Sequence, residues 1–302
     1  MKEGKASRTA DGNAALRAIE SVKPQDERVC YDPFAVDFLG GTFSLIAKNR
    51  YVIPSRLLMR VLVWYCERIS PGGFGSIIAQ TRHIDDYLMR CIHDGIKQLV
   101  ILGAGYDSRA YRFDELKGRV KVFEVDNPVT QRVKVEKVKK IFGFLPSHVI
   151  YVPIDFDKEK LDERLFESGY DRNLKTLFIW EGVTFYIMAE AVDETLAFVA
   201  KDSGEGSSII FNYIFQSVVD GTTKLEEAKK WRRQLERYGE PPTFGIEEGT
   251  VDEFLAERGF GQVENMTAES LEDAYFEGKS LGRKVMSFLP IVHATVKPRE
   301  GS

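Results

Sequence analysis

The sequence predicts an α/β fold: a doubly wound, mostly parallel seven-stranded sheet, preceded by a helical N-terminal extension and carrying a helical cap. Three observations predict it. From residue 98 onward, short apolar runs alternate with helical stretches, the pattern of strand–helix–strand crossovers. The first run, Leu99 to Leu102, is apolar throughout, as a strand buried on both faces must be. Residues 1–95, by contrast, contain no convincing strand.

In chain order, Asp11 to Val22 reads as a helix because Ala14, Ala15, Ala18, Ile19 and Val22 recur at spacings of three and four. Asp32-Pro33 predicts a short helix with Asp32 as N-cap and Pro33 at its first position. Two longer helices, about 54–69 and 76–94, flank the loop Pro71-Gly72-Gly73. Strands are expected near 98–102, 120–125, 148–152, 175–181 and 207–213, with helices near 127–142, 157–168 and 188–202 between them. A helical segment at about 222–238 precedes Pro241-Pro242, a helix at 247–258 follows, then a weak strand at 261–266 and a final strand from Lys284 to Val296. The tail, Lys297 to Ser302, is expected to be disordered. The organisation expected is a helical extension, lid and substrate cap over 1–95, and a ligand-binding α/β domain over 96–302 with a cap insertion at about 214–246.

The bulk composition sets limits. The 302 residues carry 42 Lys and Arg against 46 Asp and Glu, a net charge of −4, so no basic excess exists to neutralise nucleic-acid phosphates. Cys30, Cys66 and Cys91 lack a C-x-x-C spacing and read as reduced thiols of a cytoplasmic protein. His83, His93, His148 and His293 are scattered without metal-ligand spacing, so no metal site is expected. The first twenty residues lack the apolar core of a secretory signal. Ile53 to Ile69, the most apolar helical stretch, contains Arg56, Arg60, Glu67 and Arg68 and is too charged to span a bilayer, so no membrane association is expected.

The binding signal lies after the first strand. At Gly103-Ala104-Gly105 backbone without side chains can turn sharply and let a ligand approach. Asp126 ends the second strand 21 positions after Gly105, where a doubly wound sheet grips the hydroxyls of a ribose. An adenosine-type cofactor follows. Ser108 stands where a dinucleotide site places its third small residue, and Tyr106-Asp107 crowd the approach with an aromatic ring and a carboxylate. That mouth suits a sulfonium and an ammonium better than a pyrophosphate, which favours S-adenosyl-L-methionine over a nicotinamide or flavin dinucleotide. The residues just past the strands, Gly103–Asp107, Asp126, Asp155-Phe156, Glu181 and Asn212-Tyr213, are the ones positioned to meet it.

These motifs resemble those of a class I (Rossmann-like) S-adenosylmethionine-dependent methyltransferase of the leucine carboxyl methyltransferase superfamily, in its bacterial and archaeal O-methyltransferase branch. The matching segments are Thr81-Arg82-His83-Ile84-Asp85-Asp86, Leu102 to Arg112, Phe123-Glu124-Val125-Asp126-Asn127-Pro128, Val152-Pro153-Ile154-Asp155-Phe156 and Trp180 to Tyr186. Ser7-Arg8-Thr9-Ala10 and Asp32-Pro33-Phe34-Ala35 also look familial. The resemblance implies that Arg82 clamps the cofactor's carboxylate and that Gly103, Ala104 and Gly105 pass its methionine moiety. It further implies that Asp126 holds the ribose, that Asp155 accepts from the adenine amino group beside Phe156, and that Glu181 faces the ammonium and sulfonium. Asn212 departs from the acid of many relatives, which leaves a catalytic duty there in doubt.

Each candidate has a plainer reading. Arg82 can pair on the surface with Asp85 or Asp86, and Asp126 and Asp155 can cap the helices that follow them. Arg109 is expected to pair with Glu124 or Asp126, and His83 to be packed. A buried unpaired carboxylate at Glu181 would be costly, which a cationic ligand resolves. Tyr106, Tyr186 and Tyr213 sit near strand ends, where two of the three are expected to line a substrate site, and Arg8 with its helix is expected to fold over the cofactor. Methyl transfer rests on proximity, with Glu181, Tyr186 and Tyr213 as the candidates nearest the reacting atoms. A carboxylate acceptor needs no base; a hydroxyl needs one, for which Tyr213, His83 and Glu181 are weak candidates. The expectation is methyl transfer to a carboxylate or hydroxyl oxygen of a small molecule. The competing readings are an NAD(P)-dependent oxidoreductase, a non-catalytic binding module, and a methyltransferase of protein C-terminal carboxylates.

Overall fold

The structure, a computed structural model, describes residues 8–39, 63–65, 67–68, 70–155, 159–278 and 283–298. The expected helix at 54–69 falls mostly outside these residues, as do Cys66, Phe156, the side chain of Arg8 and the end of the C-terminal tail. Among the described residues no helix is long and apolar enough to cross a membrane.

Seven strands form one sheet: β1 (Gln98–Leu102), β2 (Lys121–Asp126), β3 (Val149–Pro153), β4 (Thr176–Trp180), β5 (Ser208–Asn212), β6 (Phe260–Met266) and β7 (Ile291–Val296). Their order is β3-β2-β1-β4-β5-β7-β6; β7 runs antiparallel between β5 and β6, and the other pairs are parallel. Every residue of β1, β4 and β5 is buried, which explains the apolar runs at their centres. Period-2 alternation sends Leu99 and Ile101 into the core on one face, and Val100 and Leu102 into the core on the other.

The first face is covered by α1 (Arg8–Ser21), α2 (Ala35–Phe38), α3 (Gly73–His93), α4 (Arg109–Arg112) and α5 (Pro128–Phe142). The second is covered by α6 (Leu161–Glu167), α7 (Ala189–Lys201) and α10 (Val251–Glu257). Between β5 and α10, α8 (Gln216–Asp220) and α9 (Glu226–Tyr238) form the cap, packing Val218 and Ala228 with Phe185 and Phe288. The helix α11 (Ala268–Phe276) was not expected from periodicity; Thr267 caps it by accepting from Ser270 N–H, and it packs beside α3.

Two of the boundaries that differ from expectation have a plain physical cause. The last strand starts at Ile291 instead of Lys284, because Pro290 cannot donate to a ladder. Asp32 does not begin a helix at Pro33: α2 starts at Ala35, and the Asp32 carboxylate accepts from Phe34 N–H while its other oxygen is held by Arg17 at 2.9 Å. The helix after β2 is capped by Asn127, accepting from Val129 N–H, and not by Asp126. That leaves Asp126 for other work.

Candidate active site

The strand order reverses between β1 and β4, and open sheets bind ligands outside the carboxyl ends of the strands at such a point. A cleft of about 410 Å3 lies there, walled by the Gly103–Asp107 turn, the ends of β2 and β4, helix α1 and the segment after α9. That volume is in the range of ligand sites.

The floor is backbone. Gly103 and Gly105 have φ of 66° and 41°, the left-handed region that favours glycine, and a Cβ on Gly103 would stand 2.3 Å from Val183 Cγ2. The turn is tied to β2 because Gly105 N–H donates to Asp126 Oδ2 at 2.5 Å, while Asn127 N–H donates to Oδ1 at 2.6 Å. Burial raises the Asp126 carboxyl above its usual range, and these two donors offset only part of that. Asp155, just past β3, lines the same cleft; its N–H donates to Glu159.

Glu181 follows β4 immediately, and its Oε2 accepts from Arg109 Nη1 at 2.8 Å. Arg109 is 2 % exposed and also reaches Asp85 at 2.8 Å and Asp107 at 2.5 Å. Burial alone would raise the Asp107 carboxyl; Arg109, then Lys134, outweigh it and hold it down at about 2. The other Asp107 oxygen accepts from Arg109 N–H at 2.7 Å, at the head of α4. A carboxylate of the chain therefore takes the helix terminus where a dinucleotide site would seat pyrophosphate.

The structure brings Gly103, Ala104, Gly105, Asp126, Asp155, Glu181 and Tyr186 to one cleft. Tyr106 lines it too, stacked on Phe38, so two of the three strand-end tyrosines are there. Tyr213 is not. It is 1 % exposed in the core of the second face, with its hydroxyl 3.4 Å from Asn265, because its place directly after β5 turns it under the sheet. Arg82 is also outside the lining: its Nε bonds both oxygens of Asp86, at 2.9 and 3.0 Å, on the exposed side of α3. Thr81, Asp85 and Leu88 occupy the buried face of that helix, and a 3.6-residue period turns Arg82 away from it. Arg109 pairs with neither Glu124 nor Asp126, since α4 aims it toward α3 and β4. Glu124 instead pairs with Lys134 at 2.9 Å, both buried.

His83 is packed, 3 % exposed beside Tyr275. Asn212 is a brace: its Oδ1 accepts from Gly182 N–H at 2.7 Å and its Nδ2 donates to Gln80 at 3.0 Å, holding the loop that carries Glu181.

Sequence reasoning missed Arg17. Thr9, Ala10, Asn13 and Arg17 all line the cleft from α1, and Arg17 donates to Asp32 and, at 2.6 Å, to the carbonyl of Tyr106. The spacing 10, 13, 17 marks one helical face, which could have singled Arg17 out. Tyr186 shares a hydrogen bond with Thr9, and burial pushes its hydroxyl up to about 12. Among the described lining residues, five are acidic (Asp107, Asp126, Asp155, Glu181, Glu240) and Arg17 alone is basic. Such a lining fits a ligand with two cationic centres and one carboxylate, and disfavours a pyrophosphate.

The model of the leucine carboxyl methyltransferase family matches residues 10–200. A Bacillus subtilis protein named "Putative S-adenosyl-L-methionine-dependent methyltransferase YktD" is 27% identical over 239 residues, covering 79% of this chain and 77% of its own. A Frankia alni protein of the same description, FRAAL3718, is 36% identical over 203 residues, covering 66% and 65%. The fold is shared with the crystal structure of a Thermobifida fusca protein described as a methyltransferase, at a TM-score of 0.56 and 13% identity over 98% of this chain and 97% of that one. The chain thus belongs to the leucine carboxyl methyltransferase family and is an S-adenosyl-L-methionine-dependent methyltransferase.

Proposed function

We propose that the chain methylates a carboxylate oxygen of a small molecule in the cleft at the ends of β1, β2 and β4. One observation carries the choice of acceptor: among the described residues that line the cleft, none is His, Cys or Lys. Tyr186, with its hydroxyl pushed up to about 12, stays protonated near neutral pH, and Glu181 is engaged by Arg109. A hydroxyl acceptor would have to surrender a proton, whereas a carboxylate arrives ionised. Helix α9 carries Lys230, Arg233 and Arg237 and leads into Gly239, Glu240 and Pro241 of the lining.

S-adenosyl-L-methionine supplies, when bound, a methyl carbon on a positively charged sulfur that departs as a neutral thioether. The chain's work is then to bind, orient and exclude water. Asp126 presents its carboxylate to the ribose hydroxyls, and Asp155 accepts from the adenine amino group. Arg17, in the role the resemblance assigned to Arg82, donates to the amino-acid carboxylate. Glu181 and Asp107 face the ammonium and the sulfonium. Helix α1, held by the Thr9–Tyr186 bond and the Arg17–Tyr106 bond, roofs the cleft against water.

Turnover with a labelled methyl group against matched carboxylic acids and phenols tests the proposal. The expected product is a methyl ester, which mild alkali cleaves to release methanol. Alkali-stable label in an ether, with the acids unreactive, would overturn the carboxylate assignment.

A further inference from the structure

Among the described residues Lys134, on α5, is the only buried lysine, 1 % exposed. Its ammonium pairs with Glu124 of β2 at 2.9 Å and donates at 3.2 Å to the Ala104 carbonyl, in the turn that floors the cleft. Glu124 also accepts from the hydroxyl of Tyr111 on α4, at 2.9 Å. Three elements, β2, α4 and α5, thus meet beneath the turn. Taking an ammonium and a carboxylate out of water is costly, and well-packed apolar residues often fill such a place with equal stability. Stability alone does not call for the pair. The carbonyl it reaches offers another use.

The Ala104 carbonyl and the Gly105 N–H belong to one peptide plane, and in a trans peptide they point in opposite directions. Here the carbonyl faces Lys134 and the N–H faces Asp126 Oδ2, 2.5 Å away at the cleft. Rotating that plane changes ψ of Ala104 and φ of Gly105 together, a change that glycine accepts at no steric cost. The plane therefore needs a pin. Asp107 N–H also donates to the Ala104 carbonyl, at 2.8 Å, but that bond lies within the turn and moves with it; Lys134 ties the carbonyl to a separate helix. Asn127 N–H holds the other oxygen of Asp126, and one donor alone would leave the carboxylate free to turn. We infer that Lys134 is a positioning residue: by holding the Ala104 carbonyl it aims Gly105 N–H at Asp126 and so fixes that carboxylate in the orientation that meets the ribose hydroxyls of the methyl donor. Lys134 also acts on Asp126 by charge. Burial, the largest influence, raises the Asp126 carboxyl, and Gly105, Asn127 and then Lys134 lower it.

The inference rests on the placement of the ribose at Asp126, and its test separates the two. Calorimetry gives the dissociation constants of S-adenosylhomocysteine and of its analogue lacking both ribose hydroxyls. The two ligands carry the same charge, so a change in the field of the cleft acts on both alike and cancels in their ratio. Wild type is expected to prefer the hydroxylated ligand by about 10-fold or more. In Lys134→Met that preference is expected to fall below about 3-fold, at pH 7 and at pH 8.5 alike. Its recovery at pH 8.5 would show that Asp126 had lost its ionisation and not its orientation, and would overturn the inference. A purely structural Lys134 would weaken both ligands by the same factor, so a preference equal to wild type would overturn it too. Lys134→Met leaves the Glu124 carboxylate unpaired in the core. Should it not fold, Lys134→Met/Glu124→Gln, read against Glu124→Gln, decides by the same criteria. Wild type that binds both ligands equally would instead remove the ribose from Asp126, and with it the reading beneath the inference.

Discussion

Replacing Gly103 with Ala probes the turn on which the site is built. The φ of 66° puts a non-glycine residue in the left-handed region, at a cost of about 1–2 kcal/mol. The new Cβ would stand 2.3 Å from Val183 Cγ2, well inside contact distance, and overpacking of that kind costs about 1–3 kcal/mol. Together these predict a destabilisation of about 2–5 kcal/mol, against the roughly 5–15 kcal/mol by which domains are stable. The two causes can be separated. Val183→Ala removes the obstructing methyl groups, so the double variant should recover the steric part and retain the backbone part. A double-mutant cycle should therefore show a favourable coupling of about 1–3 kcal/mol between the two positions. Equilibrium denaturant unfolding of the four proteins measures it. A Gly103→Ala protein within 0.5 kcal/mol of wild type, or no coupling to Val183, would refute the reasoning about the turn.

Three further outcomes follow from the same geometry. Arg17→Met should weaken S-adenosyl-L-methionine binding by about 10-fold or more, whereas Arg82→Met, which breaks an exposed pair with Asp86 and a long bond to the Val29 carbonyl, should change it less than about 2-fold and cost about 1 kcal/mol of stability; calorimetry and thermal melts read both. Asp126→Asn keeps an acceptor for Gly105 N–H but loses the charge offered to the ribose, so donor affinity should fall about 10-fold while the fold survives, as circular dichroism and titration would check. His83 and His293 are both pushed down to about 4, foremost by burial, although His293 lies 3.3 Å from Glu264. The unfolded chain binds protons there at an ordinary imidazole pKa and the folded chain does not. Stability should thus fall as pH drops from about 6.5 toward 4, and the fall should shrink in His83→Gln/His293→Gln, as unfolding curves across that range would show.

Where burial and periodicity speak, the sequence was readable. The apolar runs at 99–102 and 177–180 place the two central strands, and the spacing from Gly105 to Asp126 places a carboxylate at the next strand's tip. Glu181 was legible because a charge ending an apolar strand needs a partner; the partner in the structure is Arg109, a residue of the chain itself. Rotation about a helix was harder to read. Arg82 and Thr81 are neighbours in sequence, but one residue's rotation on α3 buries Thr81 and exposes Arg82, and the Asp86 partner four residues on was the local sign of an outward position. Tyr213 was misplaced because a residue past a strand can turn toward the cleft or under the sheet, and only its packing decides. The 10, 13, 17 spacing on α1 marks the face that carries Arg17, but its contacts to Asp32 and Tyr106 join separate segments and were not readable from it. The antiparallel placement of β7 between β5 and β6 depends likewise on pairing across the chain.

A crystal structure with S-adenosylhomocysteine bound is the most direct measurement. The account predicts its ribose hydroxyls on Asp126, its adenine beside Asp155, and its amino-acid end between Arg17 and Glu181. A ligand seated elsewhere, or one whose carboxylate is met by Arg82 with Arg17 still closed on Asp32, would contradict it.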